Sequence, residues 1–179
     1  MLNLRSPHRK LGGATDGRMS AKALLERPEK LRVMFVGSAG GHLAQLLQLG
    51  AWSQQHDRLW VTFQLPDAES LLADERVVWG YSPTTRNIPN LLRNIRLSWR
   101  IIRRERPDVI VSSGAAIAVP FFWLGKIHGA NTVYIEVIDR MDTRTLTARL
   151  CSPVTDLFVT QDESQARLFP GSALIGRLL

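Results

Sequence analysis

The chain has 179 residues, a hydrophobic fraction of 45% and a formal net charge of +7. That length and composition predict one globular domain with a sizeable core. The single cysteine, Cys151, excludes an intrachain disulfide and a cysteine-rich metal site, which suits a reducing cytoplasm. Nothing near Cys151 in the sequence would activate a thiolate, so a core position is favoured over a nucleophile.

The positive charge is concentrated in two segments. Residues 1–32 carry eight Lys and Arg against three acids, and residues 86–106 carry seven Arg against one Glu. Residues 1–30 hold charges and glycines without a long apolar run, which excludes a secretory signal and a membrane-spanning anchor. We expect residues 1–30 to be a basic flexible tail and residues 31–179 to form one domain.

Beyond residue 30, strand-like and helix-like segments alternate. Strands are predicted at Val33–Val36, Leu59–Phe63, Val77–Trp79, Asp108–Ser112, Thr132–Val137 and Leu157–Val159. Helices are predicted from Leu43 to about Gln55 and at Asp67–Ala73, Pro89–Glu105, Ala115–Ile127, Thr145–Leu150 and Glu163–Leu168. Short β-rich runs separated by helices are typical of an α/β fold with a parallel, Rossmann-like sheet and helices on both faces.

A glycine-rich turn, Gly37–His42, joins the first strand to the first helix. Backbone N–H groups of such a turn lie at the positive end of the helix dipole, where phosphates bind, although a plain tight turn is about equally favoured. The turn lacks the Lys-Ser/Thr pair of a P-loop, and Ala39 occupies the second glycine position of a dinucleotide motif. No acidic residue clearly ends the second strand, as a nicotinamide ribose site would require.

Two further groups of polar residues follow strands: the turn Ser112-Ser113-Gly114, and Glu136 with Asp139. Ligands of a doubly wound sheet bind at the carboxyl ends of its strands. Glu136 lies in an apolar stretch, where a carboxylate is costly unless it is functional or paired, with Arg140 as one partner. This set suits transfer to or from a diphosphate-bearing substrate, because a His or Glu could take a proton from an attacking hydroxyl.

No cluster has metal-ligand spacing, so neither a metal nor a cofactor is expected. A Ser-His-Asp arrangement is not evident either.

The helix predicted to end at Glu105 is amphipathic and rich in arginine. Its apolar residues recur at intervals of four, three, four and three: Ile88, Leu92, Ile95, Trp99 and Ile102. Another sector holds the cations Arg93, Arg96, Arg100, Arg103 and Arg104. This pattern favours a membrane-surface element. The ordinary alternative, an apolar stripe packed on the sheet, explains much of the stripe but not the arginines. Nucleic acid could use the same patch, but no nucleic-acid reader motif is present.

The apolar segment Ala115–Ile127 is too short to span a bilayer. A buried crossover helix is the favoured interpretation. Its Val119–Trp123 stretch could still expose part of its surface to lipid.

Three motifs together carry a resemblance: Ser38–Gln45, Ser112–Ala115 and Tyr134–Glu136. They resemble the acceptor-side subunit of two-component glycosyltransferases. Relatives in that family are the eukaryotic subunit that supports the second N-acetylglucosamine transfer onto dolichol diphosphate, and bacterial exopolysaccharide and capsule proteins. More distantly, the chain is similar to the N-terminal half of the lipid II-forming transferase. The resemblance covers roughly residues 31–179.

The resemblance implies one half of a GT-B fold that holds a polyprenyl-diphosphate-linked acceptor, while a separate subunit binds the UDP-sugar. The residues expected to bind the acceptor diphosphate are Ser38, Gly40, Gly41, Ser113 and Gly114. The residues expected to take part in catalysis are His42, near the acceptor hydroxyl, and Glu136, lining the cleft. The family implies direct, inverting attack. Whether His42 is a base or only a diphosphate ligand stays open at this point.

Many eukaryotic members carry an N-terminal membrane anchor, whereas this chain begins with the basic segment. The resemblance therefore implies peripheral association with the cytoplasmic face of the membrane through the arginine-rich helix. The residues expected to contact lipid are Arg93, Arg96, Trp99, Arg100 and Arg103. The apolar segment Ala173–Leu179 could dock a partner. Two alternatives remain: a non-catalytic membrane scaffold, and a Rossmann-like protein that binds a nucleotide or nucleic acid.

Overall fold

The computed structural model describes residues 30–84, 87–137 and 143–176. Within them, seven strands form one parallel sheet in the order β3-β2-β1-β4-β5-β6-β7. The strands are β1 Arg32–Val36, β2 Asp57–Phe63, β3 Val77–Gly80, β4 Val109–Ser112, β5 Asn131–Ile135, β6 Leu157–Thr160 and β7 Ala173–Leu174. The predicted tail lies outside the described residues except for Lys30.

Helices connect successive strands, as parallel pairing requires. They are α1 Gly41–Leu47, α2 Gly50–Ser53, α3 Pro66–Leu71, α4 Ile88–Glu105, α5 Ala118–Ile127, α6 Leu146–Cys151 and α7 Glu163–Leu168, with a 3₁₀ turn at Ser152–Val154. No helix of the described ranges has the length and apolar character needed to cross a bilayer.

The sheet buries both of its faces, because successive side chains of a strand point to opposite sides. Val33 and Phe35 of β1 belong to a core that also contains Leu43 of α1 and Ala68 of α3. The neighbouring side chains of β1 belong to a second core, shared with α4, α5 and α6; its members include Met34, Val36, Ile101, Ile102, Phe121, Phe122, Ala148 and Cys151. The predicted α/β class, with helices on both faces of a parallel sheet, is confirmed.

Among the predicted boundaries that differ from the structure, three lie near the polar residues singled out from the sequence. The first predicted helix is divided into α1 and α2 around Leu49. The apolar helix begins at Ala118 rather than Ala115, because Gly114 (φ 113°) and Ala115 (φ 67°) adopt left-handed conformations that a helix cannot include. The strand that carries Tyr134 ends at Ile135, so Glu136 follows it.

Candidate functional site

The glycine-rich turn leaves β1 at the carboxyl edge of the sheet. Gly40 has a φ of 72°, a left-handed conformation that favours glycine, and α1 begins at Gly41. The Gly40 N–H donates a hydrogen bond to Oδ2 of Asp67 at 2.9 Å. Asp67 is exposed and lies in the first turn of α3, just beyond β2. The Asp67 carboxylate therefore already accepts a hydrogen bond from one of the N–H groups that are predicted to bind the diphosphate.

His42 and Ser113 join the turns after β1 and β4. The Nδ1 of His42 lies 2.9 Å from the carbonyl oxygen of Ser113, and the Ser113 hydroxyl donates to the His42 carbonyl at 2.9 Å. Because a carbonyl can only accept, Nδ1 carries a proton, and Nε2 is then the basic nitrogen of the neutral ring. The half-buried imidazole is thus fixed in both orientation and tautomer.

Gly114 is enclosed between the His42 ring and a buried tyrosine. A Cβ added to Gly114 would lie 3.0 Å from Oη of Tyr134 and 3.2 Å from Cε1 of His42. Its φ of 113° is also one that other residues rarely adopt. The Ser112 hydroxyl accepts from the Gly114 N–H at 3.0 Å and fixes the turn. Only glycine fits this position without displacing His42.

Glu136 is buried at the carboxyl end of β5, with 1% of its surface exposed. Its N–H donates to the carbonyl of Val159, and its own carbonyl accepts from Nε2 of Gln161, both at 2.9 Å. Burial raises the pKa of the Tyr134 hydroxyl, and the negative charge of Glu136 raises that pKa further. The Tyr134 hydroxyl also lies 3.3 Å from Oγ1 of Thr145, the N-cap of α6.

The structure therefore unites several predicted site residues. His42, Ser113 and Gly114 lie together, the Tyr134 hydroxyl lies beside Gly114, and the charge of Glu136 acts on that hydroxyl. Ser38 is half-buried and Gly41 is exposed on the same turn. Asp139 and Arg140, which the sequence placed beside Glu136, lie outside the described residues.

Sequence reasoning gave no site role to Asp67, Gln161 or Tyr134, although Tyr134 belongs to the Tyr134–Glu136 motif. Asp67 follows β2 by four residues, so the rule that polar groups collect at carboxyl strand ends could have found it. Tyr134 stands two residues before Glu136, and the period of two places both on one side of the strand. The sequence carries no comparable signal for Gln161.

Metal and thiol chemistry find no support among the described residues. Those residues contain no group of three or more His, Cys, Asp or Glu side chains that could hold a metal. Cys151 is fully buried, and burial raises the pKa of its thiol to about 12. The predicted core role of Cys151 is confirmed.

Helix α4 buries polar residues and exposes apolar ones. Its inward face holds Asn90, Asn94 and Ser98 together with Ile101 and Ile102. The side chain of Asn94 accepts from the Tyr81 N–H and donates to the Tyr81 carbonyl, both at 2.9 Å.

The predicted apolar stripe of α4 faces outward. Its exposed apolar side chains are Ile88 69%, Leu91 41%, Leu92 60%, Ile95 41% and Trp99 46%. The expectation that packing on the sheet explains much of the stripe is wrong, because of the five stripe residues only Ile102 is buried. Asn90 and Asn94 lie on the inward side of α4 instead, where they bond to the backbone of the segment after β3.

Apolar exposure continues from α4 onto its neighbours. Trp99 meets the ring of His128 at 5.6 Å, and Nε1 of Trp123 donates to the Leu150 carbonyl at 3.0 Å. We call the outward set the α4–α6 apolar surface: Ile88, Leu91, Leu92, Ile95, Trp99, Trp123, Ile127, Leu146 and Leu150. Phe121 and Phe122 are buried, so α5 is the predicted crossover helix, with Trp123 and Ile127 at its exposed side.

Cations border this surface. Arg93, Arg96, Arg100 and Arg103 are all exposed. The guanidinium of Arg93 stacks over Tyr81 at 5.7 Å, and that of Arg103 stacks over Trp99 at 5.2 Å. Apolar and positively charged groups therefore share one exposed face.

The architecture described above is the Rossmann-like fold of the N-terminal half of a GT-B glycosyltransferase. A solved relative is MurG of Acinetobacter baumannii, with a TM-score of 0.64 and 18% identity over 81% of this chain and 44% of that one. Solved UDP-N-acetylglucosamine 2-epimerases share the fold. The chain spans less than half the length of these solved chains.

Curated relatives agree with the resemblance predicted from the sequence. The mouse "UDP-N-acetylglucosamine transferase subunit ALG14" is 22% identical over 184 residues, covering 84% of each chain. A Syntrophotalea carbinolica N-acetylglucosamine transferase that acts on a pyrophosphoryl-undecaprenol compound is 27% identical over 130 residues, covering 70% of this chain and 32% of that one. No protein-family model matches the chain. These relatives are glycosyltransferases or subunits of them, and the predicted resemblance is confirmed.

Proposed function

We propose that this chain is the membrane-associated, acceptor-binding subunit of a UDP-sugar-dependent glycosyltransferase. The enzyme adds N-acetylglucosamine or another hexose to a polyprenyl-diphosphate-linked saccharide in polysaccharide biosynthesis. A separate subunit binds the nucleotide sugar, and neither nucleic acid nor a cofactor takes part. The chain associates peripherally with the cytoplasmic face of the membrane.

The outward face of α4 is the observation that carries this proposal. A helix of a soluble protein buries its apolar stripe, whereas α4 exposes that stripe and buries asparagines. Exposed apolar side chains on neighbouring helices, bordered by cations, fit an anionic bilayer, to which each arginine contributes about 1 kcal/mol. A polyprenyl-linked acceptor is confined to such a bilayer. A membrane-binding surface is therefore what a protein that uses this acceptor would need.

His42 is the proposed general base. With Nδ1 donating to the Ser113 carbonyl, Nε2 is the nitrogen that can take the proton of the acceptor hydroxyl. The hydroxyl oxygen then forms a bond to the anomeric carbon while the bond from that carbon to the UDP oxygen breaks. This direct displacement inverts the anomeric centre and leaves no covalent sugar–enzyme intermediate. Glu136, a buried carboxylate just after β5, is the second proposed catalytic residue and lines the cleft.

The glycine turn is the proposed diphosphate site. Its supporting observation is the hydrogen bond from Gly40 to the carboxylate of Asp67, which shows that an anionic oxygen fits this donor. Ser38, Gly41, Ser113 and Gly114 complete the proposed set around the turn. On binding, a diphosphate oxygen takes the place of the Asp67 carboxylate on the Gly40 N–H.

The need for a second subunit rests on the comparisons. The mouse relative is named as a subunit and has 84% of its length covered, while the solved GT-B chains extend well beyond the matched half. The half of such a chain that lies outside the match corresponds to the proposed nucleotide-sugar-binding partner.

Transfer by the reconstituted pair tests the proposal. The chain and its partner subunit are combined with radiolabelled UDP-N-acetylglucosamine and a polyprenyl-diphosphate-linked saccharide in vesicles. His42→Gln is expected to lower kcat by about 100-fold, since loss of a positioned base costs two to four orders of magnitude. Glu136→Gln, at the second proposed catalytic residue, is expected to lower kcat as well. Gln48→Ala, at an exposed position just after α1, is the control and keeps wild-type activity.

Two results would change the conclusion. If both site variants transfer sugar at the wild-type rate while the pair still needs the chain, the chain is a non-catalytic membrane scaffold. If the isolated chain binds RNA or a soluble nucleotide tightly and ignores vesicles, the nucleotide-binding alternative is correct.

A further inference from the structure

A second cleft opens at the opposite end of the sheet from the glycine turn. It has a volume of about 720 Å³ and lies at the amino ends of β1, β4 and β5. Ligand pockets typically measure ~300–1,000 Å³, so a small molecule fits. Its basic lining residues are Arg32, Arg103, Arg106 and His128, and its acidic lining residue is Asp108.

The charges of this cleft do not cancel. Arg32 is committed to Asp108: its Nη2 lies 2.8 Å from Oδ1, and its Nε and backbone N–H lie 3.1 and 2.8 Å from Oδ2. Across the described ranges, no carboxylate forms an ion pair with Arg103 or Arg106. The carboxyl ends of α4 and α5 each contribute about half a negative charge. Two unpaired guanidiniums outweigh them, so the cleft is positive.

Arg106 occupies a costly backbone conformation. It ends α4 with a φ of 46° and a ψ of 61°, the left-handed region, and its N–H donates to the Ile102 carbonyl. Glycine is the usual residue at such a helix end, and other residues lose about 1 kcal/mol there. A strained residue that persists at a cleft wall points to a use for its side chain.

The mouth of the cleft adjoins the α4–α6 apolar surface through Trp99. Its ring contacts the guanidinium of Arg103 at 5.2 Å and the ring of His128 at 5.6 Å, and both are lining residues. His128 donates from Nδ1 to the Leu124 carbonyl at 2.8 Å, which orients the imidazole. An indole between an apolar face and a cationic cleft suits the headgroup level of a bilayer.

We propose that this cleft binds the phosphate group of a phosphate ester, held by Arg103 and Arg106. Two sources share that chemistry: the headgroup of an anionic glycerophospholipid and a soluble phosphomonoester. Only the lipid source depends on the proposed membrane function. The cleft lies at the other end of the sheet from the transfer site, so its binding is measured on the full chain without partner or sugar donor.

Two probes separate the sources. Glycerol 3-phosphate in solution is titrated by calorimetry, and vesicles of phosphatidylcholine with or without phosphatidylglycerol are tested by co-sedimentation. The variant is Arg106→Asn, which removes the charge while asparagine tolerates the left-handed conformation. The matched control is Arg167→Gln, an exposed arginine of α7 away from the cleft. Thermal melting checks that both variants fold.

Arg106→Asn is expected to weaken glycerol 3-phosphate binding about tenfold, the loss expected for one charge-assisted contact. A similar loss on phosphatidylglycerol vesicles, with binding to phosphatidylcholine alone unchanged, assigns the site to a lipid headgroup. A loss in solution without a loss on vesicles assigns it to a soluble phosphate ester. If the wild type does not bind glycerol 3-phosphate, or if Arg167→Gln weakens binding equally, the proposal is overturned. These binding measurements need neither the partner subunit nor the sugar donor, so they remain valid even if the proposed transferase function proves wrong.

Discussion

The glycine-turn site and the outer face of α4 hold their functional residues in opposite ways. At the site, His42, Ser113 and Gly114 are bonded to one another and packed against a buried tyrosine. On α4, Trp99 and its apolar neighbours project away from the body. The site is therefore part of the core, and the α4 face is independent of it. A substitution at the site should lower transfer and leave membrane binding intact, whereas a substitution on α4 should lower membrane binding and leave the contacts of the site unchanged.

The largest difference between the effects on transfer and on membrane binding is expected from Gly114→Ala. The added Cβ meets Oη of Tyr134 at 3.0 Å and Cε1 of His42 at 3.2 Å, at a φ that alanine rarely adopts. Displacing a catalytic group by a fraction of an ångström costs on the order of 100-fold in rate. We therefore expect transfer by the reconstituted pair to fall about 100-fold, while vesicle binding stays at the wild-type level.

Gly50→Ala is the control for this experiment. A Cβ at Gly50 meets nothing within 4 Å, and alanine favours the helix there. Equal transfer by both variants would show that the enclosure of Gly114 does not position His42.

The next effect concerns the α4 face alone. The double variant Ile95→Ser/Trp99→Ser removes two side chains that are 41% and 46% exposed. Because each inserted apolar side chain is worth roughly 1.5–3 kcal/mol, binding to anionic vesicles should weaken at least about tenfold. Thermal stability should hardly change, because neither side chain belongs to the core. Co-sedimentation and a thermal melt measure the two quantities.

Leu71→Ser is the matched control, since Leu71 is 54% exposed on α3, on the other face of the sheet. An equal loss of vesicle binding from this variant would mean that general surface hydrophobicity, rather than the α4 face, drives association.

The same contrast explains what the sequence could predict. The fold class follows from apolar runs such as Val33–Val36 and Val109–Val111, because strands buried on both sides need helices on both faces of the sheet. The orientation of α4 does not follow from periodicity. A periodic pattern gives the direction of an apolar stripe but not whether a sheet or a membrane covers it. The two inward-facing asparagines of α4 bond to backbone groups of Tyr81 and Pro83, in the loop after β3, and residue spacing does not encode those contacts.

At the site, residue types were predictable and contacts were not. His42, Ser113 and Glu136 follow strands, so their shared edge could be inferred. The tautomer of His42 depends on a carbonyl 71 residues away, and the enclosure of Gly114 depends on the length of the Tyr134 side chain. Both are tertiary contacts that no local pattern encodes.

The inward face of α4 offers a smaller, structural effect. Asn94→Leu removes both hydrogen bonds to the backbone of Tyr81 and leaves an N–H and a carbonyl without partners. We expect the free energy of unfolding to fall by about 1–3 kcal/mol, with vesicle binding per folded molecule unchanged. Urea denaturation measures this loss. Gln54→Leu, at an exposed position after α2, is the control, and an equal stability of the two variants would contradict the assigned role of Asn94.

The smallest effect lies at the glycine turn itself and tests whether Asp67 competes with the acceptor. Asp67→Asn keeps an oxygen for the Gly40 N–H but removes the charge that opposes a diphosphate, whereas Asp67→Ala also vacates the donor. We expect the acceptor KM to fall about threefold in the first variant and further in the second, with kcat unchanged, because about 0.6 kcal/mol of relieved repulsion at an exposed site gives a change of that size. Asp74→Asn makes the same charge change at an exposed position elsewhere, so a KM lowered equally there would assign the effect to net charge. A KM that rises in both Asp67 variants would mean that Asp67 orders the turn for the acceptor instead of occupying its place.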